Sequence, residues 1–297
     1  MRILLTGKTG QVGHELERSL RGLGEIIALD RSQMDLSDLD QVRDVVRTVK
    51  PALIINPAAY TAVDKAESEP ELAMRINGEA PGVMAEEAGK IGAAMIHYST
   101  DYVFDGSKDR PYLETDPTCP VNVYGSTKLA GEQAIQAAGI PHLIFRTSWV
   151  YGMYGKNFLL TMMRLAQERD ELRIVADQHG SPTWSGTIAD STAAVVAKSI
   201  QAPDAIDWLR QHAGIYHLTC QGQTTWHGFT QAIVAATMTG KKPALTPIAT
   251  QDYPLPAKRP AYSVMSGEKF IRNFSDLPSW ENALASCLQK KTGSDNL

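Results

Sequence analysis

Along the first half of the chain, apolar residues fall in short unbroken runs, separated by longer stretches in which they recur every three or four positions. The runs at 2–6, 26–29, 53–56, 94–98 and 142–146 have strand length and are rich in Ile and Leu. The stretches 11–20, 39–49, 71–90 and 121–137 carry helical spacing. Unbroken apolar strands alternating with helices predict a parallel sheet covered on both faces, with right-handed crossovers. After Trp149 the alternation fades. Pro243, Pro247, Pro254, Pro256 and Pro260 then gather, and prolines belong to loops rather than sheet interiors.

The first run leads directly into Gly7-Lys8-Thr9-Gly10-Gln11-Val12-Gly13 and then a helix. Gly7 and Gly10 permit a tight turn that lets a pyrophosphate approach backbone N–H groups at a helix N-terminus, and Gly13 permits close helix–strand packing. A glycine-rich turn without a ligand is the plainer alternative, but strand, glycines and helix fall in the order a dinucleotide site needs. Asp30 closes the second run, where a carboxylate suits ribose hydroxyls, while Arg31 beside it suits a 2′-phosphate, so NADPH and NADH both remain open. Asp35 and Leu36 fall where a loop covers adenine, and Ala58, Ala59 and Tyr60 follow the third strand. The expected fold class is therefore α/β: a Rossmann-type doubly wound parallel sheet with a smaller, loop-rich C-terminal lobe. Residues 1–150 form the expected dinucleotide-binding domain, with about 175–210 returning to it, and 151–297 the mainly substrate-binding lobe.

Tyr124 and Lys128 lie four apart on one helix face, in VYGSTK. A tyrosine that donates a proton has a reference pKa near ~10, and a neighbouring ammonium is expected to lower it while also holding the ribose of a nicotinamide. Tyr and Lys at this spacing are common on exposed helices, so the pair gains weight only from its surroundings. Thr100 ends the fourth strand at the carboxyl edge of the sheet, where its hydroxyl can bond a carbonyl oxygen or merely cap the strand. Trp149 follows the fifth strand at the same edge and can stack on a sugar or fill core. Tyr102 lies in a loop over that region. Arg259 suits a diphosphate, or an ordinary surface position.

These motifs resemble those of the extended short-chain dehydrogenases and, more narrowly, the dTDP-4-dehydrorhamnose reductase family. The resemblance is carried by GKTGQVG at 7–13, AVDKAESEPELA at 62–73, HYSTDYVFDG at 97–106, VYGSTKLAGE at 123–132, FRTSWVYG at 145–152 and RPAYS at 259–263. It implies catalytic roles for Thr100, Tyr124 and Lys128. It also implies cofactor contacts for Gly10, Gln11, Val12, Asp30, Asp35, Leu36, Ala59, Tyr60, Thr61 and Tyr98, and sugar contacts for Thr100, Asp101 and Trp149. The implied reaction reduces the 4-keto group of a dTDP-linked 4-keto-6-deoxyhexose with NADPH or NADH. Some family members are metal-linked dimers. Here Gly180-Ser181-Pro182-Thr183 continues without the acidic residue such a bridge requires, so no metal is expected and a homodimer stays open.

Composition narrows the choice of partners. The 297 residues carry a net charge of −4 with no basic block, which argues against nucleic acid. The apolar start breaks at Gly7, too early for a signal peptide or a membrane span, and Cys119, Cys220 and Cys287 suit free thiols, so a cytoplasmic protein is expected. Beside another nucleotide-sugar 4-ketoreductase, three rivals remain: a dehydratase, an epimerase and, from a different class, a non-catalytic subunit. A dehydratase needs a second acid–base pair, and Asp101 is followed by Tyr102 rather than Glu. An epimerase would retain its cofactor, and a non-catalytic dinucleotide-binding subunit would have no need of the three reactive side chains.

Overall fold

The apolar runs become strands because their side chains find cover on both sides. The computed structural model describes residues 1–294, so the last three positions of the expected C-terminal lobe, 295–297, lie outside the described residues. The first half runs β1 (Arg2–Leu5), α1 (Gln11–Ser19), β2 (Glu25–Ala28), α2 (Leu39–Val49), β3 (Leu53–Asn56), α3 (Val63–Ala66), α4 (Pro70–Met74), α5 (Ala80–Ile91), β4 (Ala94–Thr100), α6 (Val123–Ala137) and β5 (His142–Thr147). The second half runs β6 (Val150–Tyr151), α7 (Phe158–Glu168), β7 (Glu171–Val175), β8 (His179–Gly180), β9 (Thr183–Trp184), α8 (Ser185–Gln201), α9 (Ala205–Gln211), β10 (Gly214–His217), β11 (Thr224–Thr225), α10 (Trp226–Thr237), β12 (Ala244–Ile248), α11 (Glu268–Asn273) and α12 (Trp280–Ser294).

Six strands pair in parallel in the order β2-β1-β3-β4-β5-β10. Every residue of β3 and β4 is buried. The chain steps outward from β1 to β2 and then crosses back to β3, and this reversal opens a crevice at the carboxyl ends of β1 and β3. On one face Leu16 of α1, Ile188 and Val196 of α8 and Phe270 of α11 pack with Ile3, Ile55 and Phe145. On the other, Val42 and Val46 of α2 and Met84 and Ala88 of α5 pack with Leu4, Ile54 and Ile144. A third core, built from Leu159, Leu172, Phe229, Ile233 and Leu284, belongs to the remaining elements. There the short pairs β6·β9 and β7·β12 run parallel and β8·β11 antiparallel.

The structure departs from the expected 71–90 helix. It is split by a π-turn over Arg75–Glu79 between α4 and α5. The extra residue turns Asn77 inward, where Oδ1 accepts from Tyr60 N at 2.8 Å and Nδ2 donates to Tyr60 O at 3.1 Å. The fourth strand runs two residues past its apolar run and ends at Thr100, as expected, and α6 begins at Val123, where the Asn122 carboxamide caps Gly125 N.

Glu87 of α5 is buried beneath α2, its two oxygens each receiving a 2.8 Å bond from Arg47, with Lys90 adding a third. The Arg47 guanidinium, with help from Lys90, holds this carboxyl at about 2 against burial. The folded pKa lies below the unfolded one, so the stabilisation is complete above pH ~4.5 and fades as pH falls toward 2. Glu87→Gln is therefore expected to melt below the parent protein at pH 7, with the gap narrowing as melts are repeated down to pH 3. A gap independent of pH would contradict this.

Candidate active site

A cleft of about 580 Å³ opens at the carboxyl edge above β1 and β3. Gly7 adopts φ +60°, and a Cβ there would lie 2.9 Å from that of Ala58. A Cβ on Gly13 would come within 2.0 Å of the Gly7 carbonyl, so α1 can approach the strand only with glycine there. Gly10 precedes α1 without a side-chain cap, leaving the helix's first N–H groups for another acceptor. The Gln11 Oε1 atom is buried at this turn without a partner. A glycine cradle and an uncapped helix start together fit a dinucleotide pyrophosphate, whereas the Gln11 oxygen, an acceptor, suits a hydroxyl or amide donor of the same cofactor.

Of the residues expected at a cofactor, Gly7, Gly10, Gln11, Val12, Gly13, Arg31, Asp35, Leu36, Ala59, Tyr60, Thr61, Tyr98, Tyr124 and Lys128 line this one cleft. Asp30 does not. Its carboxylate turns back to accept from Ser32 N and Oγ at 2.9 and 2.6 Å, with Lys8 3.5 Å away, and Ser32 chiefly holds its pKa below the usual range. Arg31 remains on the cleft, paired with Asp35 at 3.2 Å. The Tyr98 ring is buried in the first core, with its hydroxyl 2.8 Å from Thr192 Oγ1, and its carbonyl accepts from Lys128. Sequence reasoning missed Thr9, Ile76, Thr147, Val150, Gly155 and Lys156 on the same cleft. The last two come from the loop after β6, where no motif in the sequence marked them.

Tyr124 and Lys128 of α6 both face the cleft. The Lys128 ammonium is buried and donates to Tyr98 O at 2.6 Å, and its Nζ lies 3.2 Å from His97 Nε2. Burial lowers its pKa to about 8, and Glu132 offsets part of that. Contrary to expectation, Tyr124 is pushed up to about 12: burial dominates, the Thr100 hydroxyl pulls the other way, and the charge of Asp101 adds to the rise. Lys128 does not reverse this, because its bonds point to β4. Of the two roles expected of Thr100, the structure shows the strand-end cap. The Thr100 hydroxyl accepts from Tyr102 N at 3.1 Å, capping the strand end, and donates to Asp101 Oδ1 at 3.0 Å. Asp101 is buried with Oδ2 unpartnered, and burial raises its carboxyl to about 7.

A second cleft, of about 1010 Å³, adjoins through Tyr102, whose ring meets that of Tyr124 edge-on at 5.8 Å. Phe158, Arg169, Arg173, Gln178, Trp226 and the 252–259 segment line it. Thr100, Asp101 and Trp149 line neither cleft. Trp149 is held at φ +47° with its ring against Gly180 and stacked on Trp226 at 3.6 Å, so Trp226, which the sequence did not single out, presents the aromatic wall. Arg259 lines the second cleft, but its fork is taken by Asp64 of α3, at 2.6 and 2.8 Å, rather than left free for a diphosphate. Among the described residues no group of three or more His, Cys, Asp or Glu is placed to hold a metal ion, and no helix is long and apolar enough to cross a membrane.

Comparison with known proteins adds an independent line. The family described as RmlD substrate binding domain matches residues 1–292. A dTDP-4-dehydrorhamnose reductase of Burkholderia thailandensis is 49% identical over 296 residues, covering 97% of this chain and 98% of the relative. The reductase of the same name from Escherichia coli K12 is 48% identical, with 95% of each chain covered. The solved dTDP-4-dehydrorhamnose reductase of Bacillus anthracis, in complex with NADP, superposes with a TM-score of 0.87 at 35% identity, over 97% of this chain and 99% of that one.

Proposed function

The chain belongs to the RmlD substrate-binding-domain family, and on that premise we propose that it reduces the 4-keto group of dTDP-6-deoxy-L-lyxo-4-hexulose (dTDP-4-dehydro-L-rhamnose) with NADPH or NADH, giving dTDP-L-rhamnose. One observation carries the reading most directly: Tyr124 and Lys128 project from one helix face onto the glycine-walled cleft where a dinucleotide fits. The nicotinamide supplies hydride to C4 when it is bound. When bound, its pyrophosphate would be held by Gly7, Gly10 and the start of α1, a 2′-phosphate by Arg31, and its ribose hydroxyls by Lys128, which Tyr98 O orients.

Tyr124 is the proton donor to O4. With its pKa near 12 it enters the reaction protonated at neutral pH, as an acid must. The phenolate left behind needs a cation nearby, and Lys128 lies one turn away on the same face. Thr100 steadies the developing oxyanion after exchanging its bond to Asp101, while Tyr102 and Trp226 wall the sugar's side of the pair. Asp101, Trp149 and Arg259 shape this region from behind. The same reading treats 1–150 with the returning segments as the cofactor lobe and places the enzyme in the cytoplasm, without nucleic acid or membrane as partner and with room for a homodimer.

The test supplies the keto-sugar nucleotide, generated in place, and follows consumption of NADPH and of NADH, with the product identified by NMR. Stoichiometric oxidation linked to dTDP-L-rhamnose is expected. An unchanged cofactor signal in protein that still binds dinucleotide would overturn the assignment and favour the non-catalytic reading.

A further inference from the structure

Behind Lys128 runs a line of buried polar side chains that the reaction as described does not use. The Thr6 hydroxyl at the end of β1 lies 2.6 Å from Asn56 Oδ1 on β3. Asn56 Nδ2 lies 3.1 Å from His97 Nδ1 on β4, and His97 Nε2 lies 3.2 Å from Lys128 Nζ on α6. Asn56 and His97 are fully buried, and Thr6 and Lys128 are 1% exposed. A histidine buried among Ile and Leu strands is a costly choice unless both ring nitrogens find partners.

The proton count is informative. Burial first, and the Lys128 charge second, keep the His97 imidazole neutral, so it carries one proton on two nitrogens. If that proton sits on Nδ1, it is donated to the carboxamide oxygen of Asn56, and Nε2 accepts from an ammonium. If it sits on Nε2, it is donated to a neutral amine, and Nδ1 accepts from the Asn56 amide. The two arrangements differ by rotation of one amide and one tautomer. Each leaves every member bonded.

We propose that His97, oriented by Asn56 and Thr6, is a positioning residue that gives Lys128 a bonded partner in both its charged and its neutral form, and so holds its titration within reach of neutral pH. The inference rests on the role given above to Lys128. The charged form gains more, because a bond from an ammonium is roughly twice as strong as one between neutral groups. Among the other titratable groups around the lysine, Glu132 favours the charged form through space but gives Lys128 no bond. Glu132, one turn further on, is engaged by both arms of Arg146, and Tyr124, one turn back, is neutral. Asp101 acts on Tyr124 and Tyr102.

The experiment titrates Lys128 directly, by NMR of 13C-labelled lysine side chains in the protein alone, assigned with a Lys128→Met control. His97→Leu removes the partner and is expected to lower the midpoint by about one unit, corresponding to a tenfold weaker hold on the proton. His97→Gln, whose amide reaches as far and can both donate and accept, is expected to restore it. In the loaded enzyme, the alkaline limb of the kcat profile should follow the same order. A midpoint unmoved in His97→Leu protein whose fold is intact by circular dichroism would overturn the proposal. So would equal shifts in both variants, since a purely structural histidine predicts no rescue. Because the NMR midpoint is read without substrate, it stands or falls apart from the identity of the sugar.

Discussion

Tyr124→Phe is expected to lower kcat about 10³-fold, within the range for loss of a positioned general acid, while dinucleotide affinity stays within about twofold. The ring is retained, so its edge contact with Tyr102 survives and the cleft keeps its shape. Only the hydroxyl at the end of the ring disappears, and with it the proton to be donated. Burial keeps that proton in place up to a pKa near 12; of its neighbours, the Thr100 hydroxyl is too weak an acid to replace it, and Asp101, its carboxyl raised to about 7, lines neither cleft. Steady-state kinetics and a fluorescence titration of NADPH separate the two effects. A loss under tenfold would move the acid role to another group, and loss of cofactor affinity in parallel would make Tyr124 a binding residue.

The largest effect on stability is expected at Glu132. Its two oxygens accept from Arg146 Nε and Nη2 at 2.9 and 2.7 Å, both side chains are no more than 2% exposed, and the guanidinium carbon sits 5.2 Å above the Phe104 ring. Glu132→Ala leaves that cation buried and unmatched, at a cost of about 3–5 kcal/mol. Thermal melts should show a drop of roughly 6–15 °C for a chain of this size. Replacing both partners, Glu132→Leu with Arg146→Met, should recover most of the loss, because the pair's mutual attraction mainly offsets its own desolvation. A double variant no better than the single one would show that the pair does more than neutralise itself.

What the sequence disclosed follows from the range over which each feature is decided. Strands such as LIIN at 53–56 are decided by apolar side chains in one short segment. The glycine turn is equally local: a strand, three glycines and a helix within a dozen residues leave few other geometries. Features settled by distant partners were hidden. The π-turn at Arg75–Glu79 exists because Asn77 must reach Tyr60 and Thr127, and the apolar spacing of 71–90 carries no trace of that. Arg259 read as an anion ligand because nothing in RPAYS announces Asp64, 195 positions earlier. Trp149 was noticed for its place after β5, whereas its stacking on Trp226 depends on where α10 is brought. The tyrosine's pKa was misjudged for a related reason: spacing puts Lys128 near Tyr124, but the direction of its bonds is set by β4.

The last strand of the sheet has a bearing on how the chain is made. β5 is the edge of a five-strand sheet until β10 pairs along Leu143–Arg146, and the face beneath it is finished only by Phe270, Phe274 and Leu277. A ribosome that has released the first 150 residues has therefore produced every glycine of the cradle together with Tyr124 and Lys128, but not a closed body to carry them. Until translation has delivered β10 from the remaining half of the chain, an apolar strand with unpaired backbone is open to other nascent chains. Slowed synthesis, or a stop codon just before β10, should consequently be answered by chaperone capture and aggregation rather than by a small, working dinucleotide binder.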